Sequence, residues 1–196
     1  MGSAETSLRC FIGVRLPTMQ RQLLDRALQD LRHDTASLNW VSPANWHLTL
    51  HFLGNVPAEH IPNLVVHICS GGFPAFNLKL GPAQALPNTR FPRILALGVC
   101  DGDQPLTALH QQLTAQLQAA DHRSEDIPFR PHLTLARVGQ KSMGWHARSA
   151  WLGLRSLSPF PAFEVTSFDL MQSTTVATGP VYTSLANIAL APAGQA

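Results

Sequence analysis

With 196 residues, 45% of them apolar, and a formal net charge of +2, the chain is long enough to bury a full core without disulfide support. It has no apolar run of the length that crosses a bilayer or serves as a signal peptide. Cys10, Cys69 and Cys100 are odd in number and widely spaced with no Cys-x-x-Cys pair, which excludes a disulfide framework and a cysteine-based zinc site and suits reduced, mostly buried thiols in a cytoplasmic protein.

Residues 8–15 alternate and are rich in strand formers; Leu16-Pro17 ends them, and Leu23, Leu24, Ala27, Leu28 and Leu31 then fall at helical spacing after Thr18. A polar stretch from His33 to Asn39 precedes a second strand, Trp46 to Leu53, closed by Gly54-Asn55 and Pro57. The next helix runs from Ala58 to Cys69 and stops at Ser70-Gly71-Gly72. Phe76, Leu78 and Leu80 alternate as a strand, and residues 94–99 form another beyond a loop carrying Arg90 and Arg93. Leu106, Leu109, Leu113, Leu117 and Ala120 mark an amphipathic helix. Three more strands are expected at 131–138, 163–171 and 181–190, the last two joined by a turn at Thr178-Gly179-Pro180. Residues 139–159 leave room for a short helix from Trp145 to Leu154, and the ends, about 1–6 and 192–196, read as flexible. The order of elements in the first half is echoed in the second. The expected class is therefore α+β: one bilobal domain over residues 1–196, two antiparallel sheets facing a central cleft, with helices on the outer faces.

Each half holds one His-Leu-Thr-Leu strand, at 47–50 and at 132–135. Residues two apart on a strand share a face, so His47 and Thr49 point one way while Leu48 and Leu50 anchor the other, and His132 and Thr134 repeat the pattern. Continued alternation places Trp46 and Phe52 on the apolar face and His51 beside His47 and Thr49. A lone His-x-Thr says little, and His33-Asp34-Thr35 is a chance match in a polar stretch; two copies on strands bounded by turns point to chemistry. Two imidazoles supply an acid and a base near neutral pH. In-line displacement at a cyclic phosphate needs such groups on opposite sides of phosphorus, and threonine hydroxyls suit the non-bridging oxygens where charge must be held. This chemistry calls for no metal, and His47 and His51, roughly 13 Å apart along a strand, cannot share an ion. A basic set made almost wholly of arginine suits bidentate phosphate recognition, yet the small excess does not suit coating a long duplex, so any nucleic acid is expected to dock by its end.

These paired motifs resemble those of the two-histidine phosphoesterase family, above all its bacterial and archaeal RNA 2′,3′-cyclic phosphodiesterases, also called 2′-5′ RNA ligases. The strings that carry the likeness are RCFIGVRLP at 9–17, WHLTLHFLG at 46–54, RFPRILALGV at 90–99, FRPHLTLARV at 129–138, VTSFDL at 165–170 and VYTSLA at 181–186. The resemblance implies a monomer, free of cofactors, that opens 2′,3′-cyclic phosphates on RNA ends or short oligonucleotides to 2′-phosphates, with reversible 2′-5′ joining as the reverse reaction. It implies His47 as the general acid on the leaving 3′ oxygen, His132 as the general base on water, Thr49 and Thr134 as phosphate holders, Arg137 as their assistant, and Phe11 as a ring for the terminal base. Strict alternation puts Arg137 on the face opposite His132, so its role needs a bulge or a strand end there, and Arg130, on the His132 face, is its rival. Phe11 equally suits an ordinary core strand. Two other functions stay open: a noncatalytic nucleotide-binding module using the same cleft, and a phosphodiesterase of small cyclic nucleotides.

Overall fold

The computed structural model describes residues 6–122, 128–142, 144–157, 159–177 and 179–192. The ends read as flexible lie, apart from Thr6 and Pro192, outside the described residues, as does Thr178 of the last turn. The elements are β1 (Ser7–Arg15), α1 (Thr18–Ala27), α2 (Gln29–Asp34), β2 (Asn39–Trp40), β3 (His47–Pro57), α3 (Ile61–Cys69), β4 (Phe76–Leu86), β5 (Ile94–Asp101), α4 (Asp103–Ala119), β6 (Leu133–Arg137), α5 (Trp145–Arg155), β7 (Phe163–Val165), β8 (Ser167–Val176) and β9 (Gly179–Ala189).

The strands lie in the order β7-β4-β5-β6-β3-β1-β8-β9, with β2 also paired to β6. In place of two separate sheets the strands form one antiparallel sheet in two halves, β3-β1-β8-β9 in one lobe and β7-β4-β5-β6 in the other, joined where β3 meets β6. Only Leu48 and Leu133 are paired across that junction. A single bridge lets the strands diverge on both sides of it, which opens a cleft instead of continuing a flat sheet. Helices cover the sides away from the cleft: α4 packs on β3 with α3 beside it, and α5 packs on β4 with α2 beside it. The layers meet in a leucine-rich core, with Leu24, Leu28, Leu48, Leu95, Leu106, Leu113 and Phe168 fully buried.

The helix expected from Thr18 through Leu31 is interrupted at Leu28, which separates α1 from α2 while keeping a right-handed backbone (φ −96°, ψ −3°). The break lets Leu31 lie against Gly153 of α5, where any side chain would collide with it. The strand expected over 163–171 divides at Thr166, since β7 pairs with β4 and β8 with β1. One expected strand thereby crosses from one lobe to the other. Local patterning carries no record of which sheet a strand joins. The thiols depart from expectation: Cys10 is buried, and burial pushes it up to about 11, but Cys69 and Cys100 are exposed. Their positions, at the last turn of α3 and near the end of β5, lie past the segments the core covers.

Candidate active site

The two His-Leu-Thr-Leu motifs flank the junction. Antiparallel pairing of Leu48 with Leu133 sets His47 opposite Thr134 and Thr49 opposite His132, one step to either side. All four side chains therefore share the face that lines the cleft, while the leucines between them point into the core at 0% exposure. The motifs are related by an approximate twofold through that leucine pair. The sequence placed them on facing strands; the fold makes them neighbours on diverging ones.

Each imidazole is fixed in the same way. His47 Nδ1 donates to the carbonyl of Asn45 at 2.7 Å, and His132 Nδ1 donates to the carbonyl of Arg130 at 2.7 Å. Both rings are thereby held in one tautomer, with Nε2 left to work in the cleft. His47 Nε2 accepts from the Thr49 hydroxyl at 3.1 Å. Asn45 is itself pinned, its side-chain amide donating to Pro180 at the start of β9 at 2.7 Å. Burial pushes His47 down to about 4; the Asn45 carbonyl opposes the shift, and the positive charges of Arg15, His132 and Arg137 reinforce it. Those charges act because they stand around the same ring. Burial, reinforced by these charges, thus keeps His47 neutral.

Both motif strands bulge at the same place. Gly13 pairs with Thr49 and Ile12 with His51, so Leu50 is an extra residue in β3; Ala96 pairs with Thr134 and Leu95 with Ala136, so Leu135 is an extra residue in β6. A bulge resets alternation. Arg137 consequently returns to the face of Thr134, which meets the condition its role required. In β3 the same reset overturns the expected order: His51 turns into the core at 5% exposure and Phe52 turns outward at 59%. His51 is not part of the cleft. Its Nε2 lies 3.0 Å from the Thr114 hydroxyl and 3.1 Å from the His110 carbonyl, and its ring stacks on His110 at 4.3 Å, which stacks in turn on Phe129 at 4.1 Å. Phe52 and Arg137 occupy equivalent places in the two motifs.

Arg130 is exposed, and its carbonyl rather than its side chain makes the bond to His132. Phe11 is only 4% exposed. Its ring lies 4.8 Å from His47, 4.9 Å from Tyr182 and 6.4 Å from Phe52, so it supports the His47 ring more than it offers a face of its own. Sequence reasoning missed three residues here. Tyr182, the chain's single tyrosine, meets His47 edge-on at 5.2 Å; Arg15 pairs in register with His47; and Gly13 lies beneath the His47 ring. A Cβ at Gly13 would sit 2.8 Å from the Leu48 carbonyl oxygen and 3.2 Å from His47 Cδ2. The signal for all three was position in the quoted strings, but only pairing across strands gives it meaning. Among the described residues no group of three or more His, Cys, Asp or Glu is arranged to hold a metal ion.

Two backbone-anchored imidazoles with a hydroxyl beside each, set around a twofold between two lobes, define the class of two-histidine phosphoesterases. The chain belongs to the 2′-5′ RNA ligase superfamily, whose family model matches residues 19–177. It is 30% identical over 179 residues to the RNA 2′,3′-cyclic phosphodiesterase of Thermotoga maritima, covering 89% of this chain and 91% of that one. The RNA 2′,3′-cyclic phosphodiesterase of Archaeoglobus fulgidus is 29% identical, covering 91% of this chain and 98% of that one. Among solved structures, E. coli LigT complexed with 3′-AMP superimposes with a TM-score of 0.72 at 25% identity, covering 94% of this chain and 99% of that one.

Proposed function

We propose that the protein is an RNA 2′,3′-cyclic phosphodiesterase that opens the terminal cyclic phosphate to a 2′-phosphate. The observation that carries this reading is the meeting of the two motifs at the Leu48–Leu133 bridge, with His47, Thr49, His132 and Thr134 on one face. Water attacks phosphorus as His132 removes its proton, and His47 delivers a proton from Nε2 to the departing 3′ oxygen. Thr49 and Thr134 donate to the non-bridging oxygens, and Arg137 and Arg15 balance their charge. Burial holds His47 neutral, so it must gain a proton with the substrate. A bound phosphodiester anion supplies the charge that favours this, and it also draws the Thr49 hydroxyl away from Nε2. Phe11 takes part by bracing His47, and the outward ring of Phe52 is placed to meet a base. Run backward, the same proton transfers join RNA ends through a 2′-5′ bond.

Both motifs come from one chain, so a monomer acting as one domain suffices. Three unpaired cysteines fit a cytoplasmic setting, and no helix among the described residues is long and apolar enough to cross a membrane. The test is incubation with an RNA ending in a 2′,3′-cyclic phosphate, in chelator, with identification of the product. A 2′-phosphate is expected, and His47→Ala and His132→Ala are each expected to abolish its formation while the protein stays folded. Turnover by either variant, or nucleotide binding with no turnover at any pH, overturns the reading.

A further inference from the structure

A groove on the far side of the second lobe has no part in the chemistry above. It encloses about 670 Å³ between α5 and the loop from Leu86 to Ile94, and its walls include Thr89, Arg90, Trp145, Arg148, Trp151 and Arg155. That volume lies in the range of sites that hold nucleotide-sized ligands. The loop wall is ordered by its own bonds: Asn88 Oδ1 accepts from the backbone N–H of Arg90 at 3.0 Å and of Phe91 at 2.9 Å, and Arg93 N–H donates to Leu86 at 2.7 Å. Arg155 lies 6.0 Å from the Trp151 ring and Arg90 lies 5.2 Å from Phe91, while Trp145 is 68% exposed.

The electrostatics point one way. Residues 127–163 contain Arg130, Arg137, Lys141, Arg148 and Arg155 and no Asp or Glu, and residues 60–100 contain Lys79, Arg90 and Arg93 and no Asp or Glu. Among the described residues the only ion pair is that of Arg32 with Asp25, so Arg90, Arg148 and Arg155 have no carboxylate within ion-pair distance there. Arginines interleaved with indole rings, Trp145 exposed and Trp151 partly buried, fit a flexible polyanion with flat bases: cations for the phosphates, aromatic faces for stacking.

A second depression relates the groove to the His132 side of the site. A second depression, lined by Gln84, Leu86, Phe129, Arg130 and Pro131 and also by Asp103, starts at the residue whose carbonyl holds His132. Ala85 belongs to both depressions. Ala85 lies on the part of β4 that pairs only with β5, because β7 covers β4 only at 76–78. A strand leaving the cleft past Arg130 therefore crosses the open edge of β4 and reaches the groove.

We propose that this groove binds the single-stranded RNA upstream of the cyclic end, so that the protein reads a length of strand and not only its terminal nucleotide. The proposal rests on the phosphodiesterase reading, and the experiment separates the two. Hydrolysis of a 2′,3′-cyclic mononucleotide is compared with that of a twelve-nucleotide single-stranded RNA ending in a 2′,3′-cyclic phosphate. Wild-type protein is expected to favour the long substrate in kcat/KM roughly tenfold or more, an advantage that shrinks as salt rises. Arg148→Ser with Arg155→Ser, and separately Trp145→Ala, are expected to remove most of that advantage through KM and to leave the mononucleotide rate unchanged. All three side chains are exposed or on the groove surface, and a melting curve confirms that each variant is folded. Equal rates for both substrates in the wild type, or an undiminished advantage in the variants, overturns the proposal. Should neither substrate turn over, the phosphodiesterase reading fails by itself, and fluorescence anisotropy with the same RNA bearing a 3′-hydroxyl decides the groove: weaker binding by the variants upholds it. Equal binding overturns it and leaves the surface to a protein partner.

Discussion

Replacing Gly13 by alanine tests the claim that β1 sets the position of the His47 ring. The added Cβ would meet the Leu48 carbonyl oxygen at 2.8 Å, His47 Cδ2 at 3.2 Å and Met171 Cε at 3.2 Å. The methionine tip is flexible and yields; the carbonyl belongs to the strand that carries both His47 and Thr49 and yields only if β3 moves away from β1. Overpacking of this kind costs about 1–3 kcal/mol of stability. The larger effect falls on catalysis. A misplacement of about 1 Å is worth on the order of 100-fold in rate, so a shift of a few tenths of an ångström in the His47 ring is expected to lower kcat roughly three- to tenfold. No phosphate contact is removed, so KM for a cyclic mononucleotide changes little. Gly139→Ala is the control, since its Cβ would have only Asn39 Nδ2 within reach, at 3.8 Å. Steady-state hydrolysis and thermal melting of both variants provide the assay. A folded Gly13→Ala protein with wild-type kcat would refute the argument that this glycine positions His47.

The depressed His47 makes the fold acid-sensitive in a defined window. Its folded pKa, about 4, lies below the ordinary histidine value of 6.5, so the unfolded chain takes up the proton first and stability falls as pH drops from about 6.5 to about 4. The contribution is on the order of 3 kcal/mol, and burial of His51 and His110 adds to it in the same direction. Denaturant titrations across that range should show a shallower pH dependence in His47→Gln than in wild type; parallel curves contradict the assignment. A bound 2′-nucleotide should raise the His47 pKa by neutralising its cationic surroundings, which NMR titration of the ring reads directly. The His51–His110–Phe129 stack ties α4 to the segment whose Arg130 carbonyl orients His132. His110→Ala is therefore expected to lower kcat more than His110→Phe, which keeps a ring in the stack; equal losses would indicate that packing there does not reach the site. Tyr182→Ala should lower kcat severalfold by freeing the His47 ring, with Tyr182→Phe close to wild type, since the contact is edge-to-face and does not use the hydroxyl.

Local sequence determined the elements and the chemistry. Alternation and turn residues mark the strands, the leucine period marks α4, and the repeated His-Leu-Thr-Leu names the two imidazoles and two hydroxyls, because residue type and a period of two are local properties. Tertiary structure decided how these parts combine. The bulges at Leu50 and Leu135 arise from pairing with β1 and β5, and they alone send Phe52 and Arg137 toward the cleft and His51 into the core. Arg15, Gly13 and Tyr182 gain meaning only through strands distant in sequence. The division of residues 163–171 into β7 and β8 likewise follows from which strand each half joins. A side chain's face along an unbroken strand is set by counting; which strand lies beside it, and where the count slips, is set by the packing of the whole molecule.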